Sequence, residues 1–92
     1  MRKGRWQMST SGTMKFDNRD PERIKEVKDI LSQVYSALMV KGYNPVSQLV
    51  GYIISGDPTY ITSYNNARGL IGRVERDEIL EELLEQYIKT SM

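Results

Sequence analysis

Glu81, Glu82 and Glu85 are the nearest approach to a catalytic set in this sequence. Carboxylates one helical turn apart can trade a proton or hold a divalent cation. The same spacing also describes a water-facing helix side, and a solvated acidic face is the expected reading. The 92 residues contain no cysteine and no histidine. Composition therefore excludes a disulfide framework, a thiolate zinc site, a cysteine nucleophile and a histidine general base. The glycines fall into neither the Walker nor the dinucleotide pattern. The six tyrosines suit the amphipathic edge of a small core better than a stacking platform. No enzyme, cofactor or metal centre is expected.

Two other groups of residues could act by contact rather than by reaction. Asn65, Asn66, Arg68 and Arg73, with Tyr64 beside them, are types that a helix-turn-helix reader presents to the major groove. Charge argues the other way. The net charge is +1, and residues 75–92 carry six acidic groups against two basic. Lysines are not clustered for phosphate contact. A small DNA-binding regulator is thus the alternative reading, and nucleic acid is not the expected partner.

The second group is Ser9, Thr10, Ser11 and Thr13, in a stretch rich in Arg, Lys, Ser, Thr and Gly. One phosphorylation would add about −1.5 to −2 charges. That reverses the overall sign of a chain whose net charge is +1. A new phosphate could dock on an arginine or a helix N-terminus, or disrupt a contact made by the unmodified tail.

Residues 1–19 hold five basic groups, one acidic group and, beyond Met1, four scattered large apolar side chains, Trp6, Met8, Met14 and Phe16. No period of 2 or 3.6 runs through them, so a flexible tail is expected. Met8 is also a candidate initiator, which would make residues 1–7 an upstream extension. From residue 20 the chain is punctuated clearly. Asp20-Pro21, Asn44-Pro45 and Asp57-Pro58 each read as a capping side chain followed by proline in the first turn. Gly42 and Gly56 read as helix closures.

The first predicted helix carries Ile24, Val27, Leu31, Val34 and Leu38 on one face, widened by Ile30 and Tyr35. The second runs from Pro45 to about Ser55, with Val46, Leu49, Val50, Ile53 and Ile54 apolar. Gly51 inside it costs about 1 kcal/mol relative to alanine, which points to close approach by a neighbouring helix. A short turn follows through Tyr60 and Ile61. A fourth helix, capped by Thr62 or Ser63, carries Ala67, Leu70 and Ile71 and is weakened by Gly69 and Gly72. The fifth, about Glu75 to Lys89, has a wide stripe of Ile79, Leu80, Leu83, Leu84, Tyr87 and Ile88. Such a stripe can face its own core and a partner chain together.

The expected architecture is all-α, with four main helices and one short one over residues 20–92, behind a tail of residues 1–19. A body of roughly 70 residues buries only about 60% of its unfolded surface, so a homodimer is expected. The longest apolar run, around Ile53 and Ile54, is far short of the roughly 20 residues of a membrane span. The basic opening MRKGR is followed by no apolar h-region. A soluble cytoplasmic protein without membrane insertion is expected.

The stretch KGYNPVSQLVGYIISGDPTYI (residues 41–61), the pair Ala67-Arg68, and ERDEILEELLEQYI from Glu75 to Ile88 resemble the IreB family of small helical regulatory phosphoproteins. The resemblance runs from about Thr13 to Ile88, and Thr13-Met14-Lys15-Phe16 matches a Thr-apolar-x-aromatic segment of the family. It implies a cytoplasmic homodimer of five-helix subunits. It also implies phosphorylation of a tail threonine by a membrane-spanning Ser/Thr kinase with PASTA modules, reversed by a cognate phosphatase. The role implied is a brake on cell-envelope synthesis and on resistance to cell-wall antibiotics, in one branch through Clp-dependent degradation. Thr13 is the position carried over most directly, with Thr10 matching a second threonine. Of four arginines usual near helix four, Arg68 and Arg76 remain as partner-binding candidates. Ser63 and Gly72 stand in the places of the other two, and Arg73 offers a substitute one position along.

Overall fold

Each Asx-Pro pair starts a helical element in the computed structural model, which describes residues 20–91. Asp20 Oδ1 accepts the Glu22 amide at 3.1 Å, Asn44 Oδ1 the Ser47 amide at 3.1 Å, and Asp57 Oδ1 the Thr59 amide at 3.0 Å. The proline in each first turn has no amide to leave unpaired. The elements so begun are α1 (Pro21–Val40), α2 (Pro45–Ser55) and a 3-10 turn at Pro58–Tyr60. A second 3-10 turn (Tyr64–Asn66), α3 (Ala67–Ile71) and α4 (Arg76–Ser91) complete the chain.

The all-α class holds: the described residues form four α-helices and no strand. The short helix expected after Asp57-Pro58 is a single 3-10 turn, and the Tyr64–Asn66 turn was not expected. Neither Thr62 nor Ser63 caps the fourth helix as expected: α3 begins at Ala67 with no side-chain cap bond, and Thr62 Oγ1 accepts the Tyr64 amide at 3.2 Å ahead of the 3-10 turn. The expected tail, residues 1–19, lies outside the described residues.

Gly42 closes α1 with φ +82°. Its amide donates to Met39 O at 3.0 Å, and the Tyr43 amide reaches back to Leu38 O at 2.9 Å. These paired bonds satisfy the last carbonyls of the helix, and the left-handed residue between them is nearly free of strain only as glycine.

Gly51 departs from expectation. What comes close to it is not a neighbouring helix but the Tyr60 ring, which occupies the space a Cβ would need. Gln48 Nε2 fixes that turn by donating to Tyr60 O at 2.9 Å. In a Tyr60→Ala background, Gly51→Ala should raise stability by about 1 kcal/mol, the helix-propensity gain. In the parent the ring must first be expelled, so the gain should vanish; a urea-unfolding double-mutant cycle reads the difference.

α1 lies at the centre of the fold and packs against α2, α3 and α4. It buries Val27, Ile30, Leu31, Val34, Ala37 and Leu38. Ile61, Ala67, Ile71, Val74 and Ile79 close over them from the other elements. α2 and α4 use little of their apolar surface in this way. In α2 only Tyr52 is buried, with Leu49 and Ile53 partly so, while Val46 and Ile54 are 69% and 77% exposed. In α4 the buried apolar residue is Ile79, and Leu80, Leu83, Leu84, Tyr87 and Ile88 are all exposed. No described helix is long and apolar enough to cross a membrane.

Candidate functional site

The loop between α2 and α3 is held by two of the three arginines singled out in the sequence. Arg76, in the first turn of α4, donates Nη1 to Ile53 O at 2.9 Å. It thereby caps a carbonyl at the C-terminal end of α2, where a cation is favoured. Its guanidinium lies against Gly56, 3.1 Å from where a Cβ would stand. Gly56 is at φ +73°, so a glycine is needed there for both conformation and room. Arg68 donates Nε to Ile61 O at 2.8 Å, on the far side of the same loop. Both partner-binding candidates thus anchor backbone of their own chain here.

Asp57 sits in this loop between them. Its carboxyl is held below the usual aspartate range, first by the Thr59 amide, then by the Thr59 hydroxyl, with the Arg68 charge adding to both. A depressed folded-state pKa means that the contribution is present at neutral pH and fades as pH falls through the carboxylate range. An NMR titration of the Asp57 carboxyl should show a midpoint below that of an ordinary aspartate. Thr59→Val, which keeps the amide and removes the hydroxyl, should move it part of the way back.

Arg73 is placed apart from this pair, turned toward α1. Its Nη2 meets Glu26 Oε2 at 3.2 Å, and its carbonyl accepts from Arg23 Nη2 at 3.0 Å. Arg23, which the sequence reading passed over, is the hub of this network. It grips Glu78 through Nε and Nη2, both at 2.8 Å, and reaches Glu26 Oε1 at 3.0 Å. The fork-on-carboxylate geometry is the strong form of such a pair. Hydrogen bonding to Glu78 is the main influence raising the Arg23 pKa. Glu78 Oε1 also accepts the Glu75 amide at 2.9 Å, the backward half of a capping box. The signal available in sequence was the Glu75-x-x-Glu78 spacing; the arginine 55 positions away carried none.

The three glutamates do not behave alike. Glu82 is only 3% exposed, which corrects the expectation of a uniformly solvated face. It lies on the side of α4 that meets α1, where its Oε2 accepts from Gln86 Nε2 at 2.9 Å and faces Lys28 Nζ at 3.8 Å. Glu85 is exposed and Glu81 intermediate. Among the described residues no cluster suited to a metal ion forms. Around Glu82 lies an open groove of about 450 Å³, walled by Leu31 and Tyr35 of α1, Leu49 of α2 and Leu83 of α4.

The helix-turn-helix alternative finds no support. α3 has five residues, less than two turns, too little to run along a major groove. Asn65 and Asn66 form a left-handed kink, at φ 52° and 61°, and Arg68 and Arg73 are engaged as described. At the positions where arginines were expected, Ser63 is exposed, and a Cβ on Gly72 would meet nothing closer than 3.5 Å. The backbone at Gly72 would therefore accept a side chain. Thr10 and Thr13 lie outside the described residues.

A family model described as IreB regulatory phosphoprotein matches residues 11–89. That span takes in Thr13, Arg68, Arg73 and Arg76 and leaves out Thr10. It covers the three capped starts, the arginine-anchored loop and nearly all of α4. With most of its length so matched, the chain belongs to the IreB family of regulatory phosphoproteins.

Proposed function

We propose that this chain is a cytoplasmic, non-enzymatic regulator switched at Thr13 by a PASTA-type Ser/Thr kinase and reset by a cognate phosphatase. The observation that carries the reading is the family match beginning at residue 11, which includes Thr13. Thr10 is the secondary site. In its active form the protein restrains cell-envelope and peptidoglycan synthesis, and with it resistance to cell-wall antibiotics, through Clp-dependent proteolysis of a target enzyme.

Its partner contacts run through Arg68, Arg73 and Arg76. Arg73 is 62% exposed and paired with Glu26 at the surface; such pairs are weak, so a partner's carboxylate can take it over. Arg68 and Arg76 each give one described N–H to the loop and retain others, a guanidinium having five. The protein works as a homodimer, a reading supported by the exposed apolar residues of α2 and α4.

The test is incubation of the purified full chain with the Ser/Thr kinase domain of its own organism, followed by mass-spectrometric mapping. Thr13→Ala should lose most of the incorporated phosphate, with any remainder on Thr10. Equal incorporation by parent and variant would remove Thr13 from its role.

A further inference from the structure

We propose that two copies pair through α4 running antiparallel, each laying the exposed end of its helix along the groove beside Leu83 of the other. The inference deepens the homodimer reading and rests on it.

α4 is apolar on the wrong side for a helix that works alone. Toward α1 it buries Ile79 and Glu82. At about 100° per residue, Leu80, Leu84 and Tyr87 point away from those two, with Leu83 on the flank between. From Leu83 to Ser91 every residue is exposed. The helix is therefore tied down by its first half, through Ile79, Glu82 and the Arg23–Glu78 fork. Its second half offers apolar side chains that the described residues leave uncovered.

Leu83 belongs to this stripe and also to the wall of the groove, which Leu31, Tyr35 and Leu49 complete. Stripe and groove thus form one continuous apolar surface. Tyr35, Leu80, Leu83, Leu84 and Tyr87 are 41–63% exposed. Together they present on the order of 500 Å² per copy, close to the roughly 600 Å² that each partner buries in the smaller stable interfaces. Glu81 and Glu85 fall on the flank away from the groove, so pairing buries neither.

Self-complementarity sets the direction. A two-fold axis through the middle of the stripe, between Leu83 and Leu84, places Leu80 against the partner's Tyr87. The exposed half of each helix then lies on the anchored half of the other. The last turn of the partner's α4 arrives at Arg76. A cation in a first turn opposes its own helix dipole but suits the carbonyls that end another helix. Arg76 gives Nη1 to Ile53 O and keeps further N–H groups for those carbonyls. Ile54, next in sequence, comes within reach of the same turn. A parallel pair would set Arg76 against its own copy.

Because the chain lacks cysteine, single cysteines report on the pairing. Chains with Leu80→Cys and chains with Tyr87→Cys, mixed and mildly oxidised, should cross-link to each other at least tenfold faster than either does to itself. Like positions lie about 10 Å apart along the helices, beyond disulfide reach. A nitroxide on Ser91→Cys should give about 25 Å between copies by double electron–electron resonance, against about 10 Å for parallel helices. Tyr35→Ala should weaken the dissociation constant about tenfold; Tyr35 is exposed, and circular dichroism checks that the fold persists. A dimer that cross-links like to like, or at neither position, overturns the proposal and leaves the homodimer standing. A parent that sediments as a monomer at tens of micromolar removes both.

Discussion

Ile61→Ala should cost about 2–5 kcal/mol, the range for emptying a buried aliphatic site. Ile61 has no exposed surface although it lies between two 3-10 turns and in no helix. Its amide donates to Pro58 O at 3.0 Å and its carbonyl takes the Arg68 Nε at 2.8 Å. The side chain is thus inserted into the α1 core by a backbone pinned on both sides, and the site has little freedom to collapse around a smaller residue. A folded body of about 70 residues has a total stability of roughly 4–10 kcal/mol. The variant should therefore be partly unfolded at physiological temperature. Urea denaturation should show the midpoint falling sharply with the slope unchanged. A loss below about 0.5 kcal/mol, the surface-like range, would mean that the loop is not anchored as described.

Glutamate at Ile54 or at Tyr87 should convert a dimer to monomer at tens of micromolar protein without loss of helix. Ile54 is 77% exposed and Tyr87 63%, so neither substitution disturbs the subunit's own core. If these faces meet a second copy, each change buries a charge in an apolar contact. An effect of about 3 kcal/mol or more, roughly a hundredfold in the dissociation constant, is the scale of an interface hot spot. Sedimentation velocity on the parent and both variants checks it. A dimer that survives both substitutions undiminished would place the contact elsewhere, and a monomeric parent would remove it.

Helix starts and stops were legible because the signals are local. An Asx side chain, a proline and a glycine act within a few residues of where they stand, and all three Asx-Pro starts and both glycine closures are found where the sequence put them. What escaped was non-local. Gly51 announced a close approach, but nothing in sequence said that the intruder would be Tyr60 from the next turn. Glu82 looked like its neighbours until α4 was laid against α1. The Arg23–Glu78 fork joins residues that only the packed helices bring together. The tandem left-handed asparagines are a similar case, since Asn tolerates that conformation without demanding it.

For the arginines, the residue types were legible and the roles were not. A guanidinium on a surface helix can meet a partner or a carbonyl of its own chain. Arg68 and Arg76 do the latter with one N–H each, while Arg73 reaches a carboxylate. Alanine at Arg68 or Arg76 would thus loosen the loop as well as any partner contact, so Arg73→Ala is the cleaner probe of binding.

The most direct measurement is phosphate occupancy of the full chain recovered from cells with and without the Ser/Thr kinase, mapped residue by residue. The account predicts phosphate on Thr13 when the kinase is present and its loss when the kinase is deleted. Phosphate confined to the helical body, or a Thr13 that stays unmodified while the kinase is active, would contradict it.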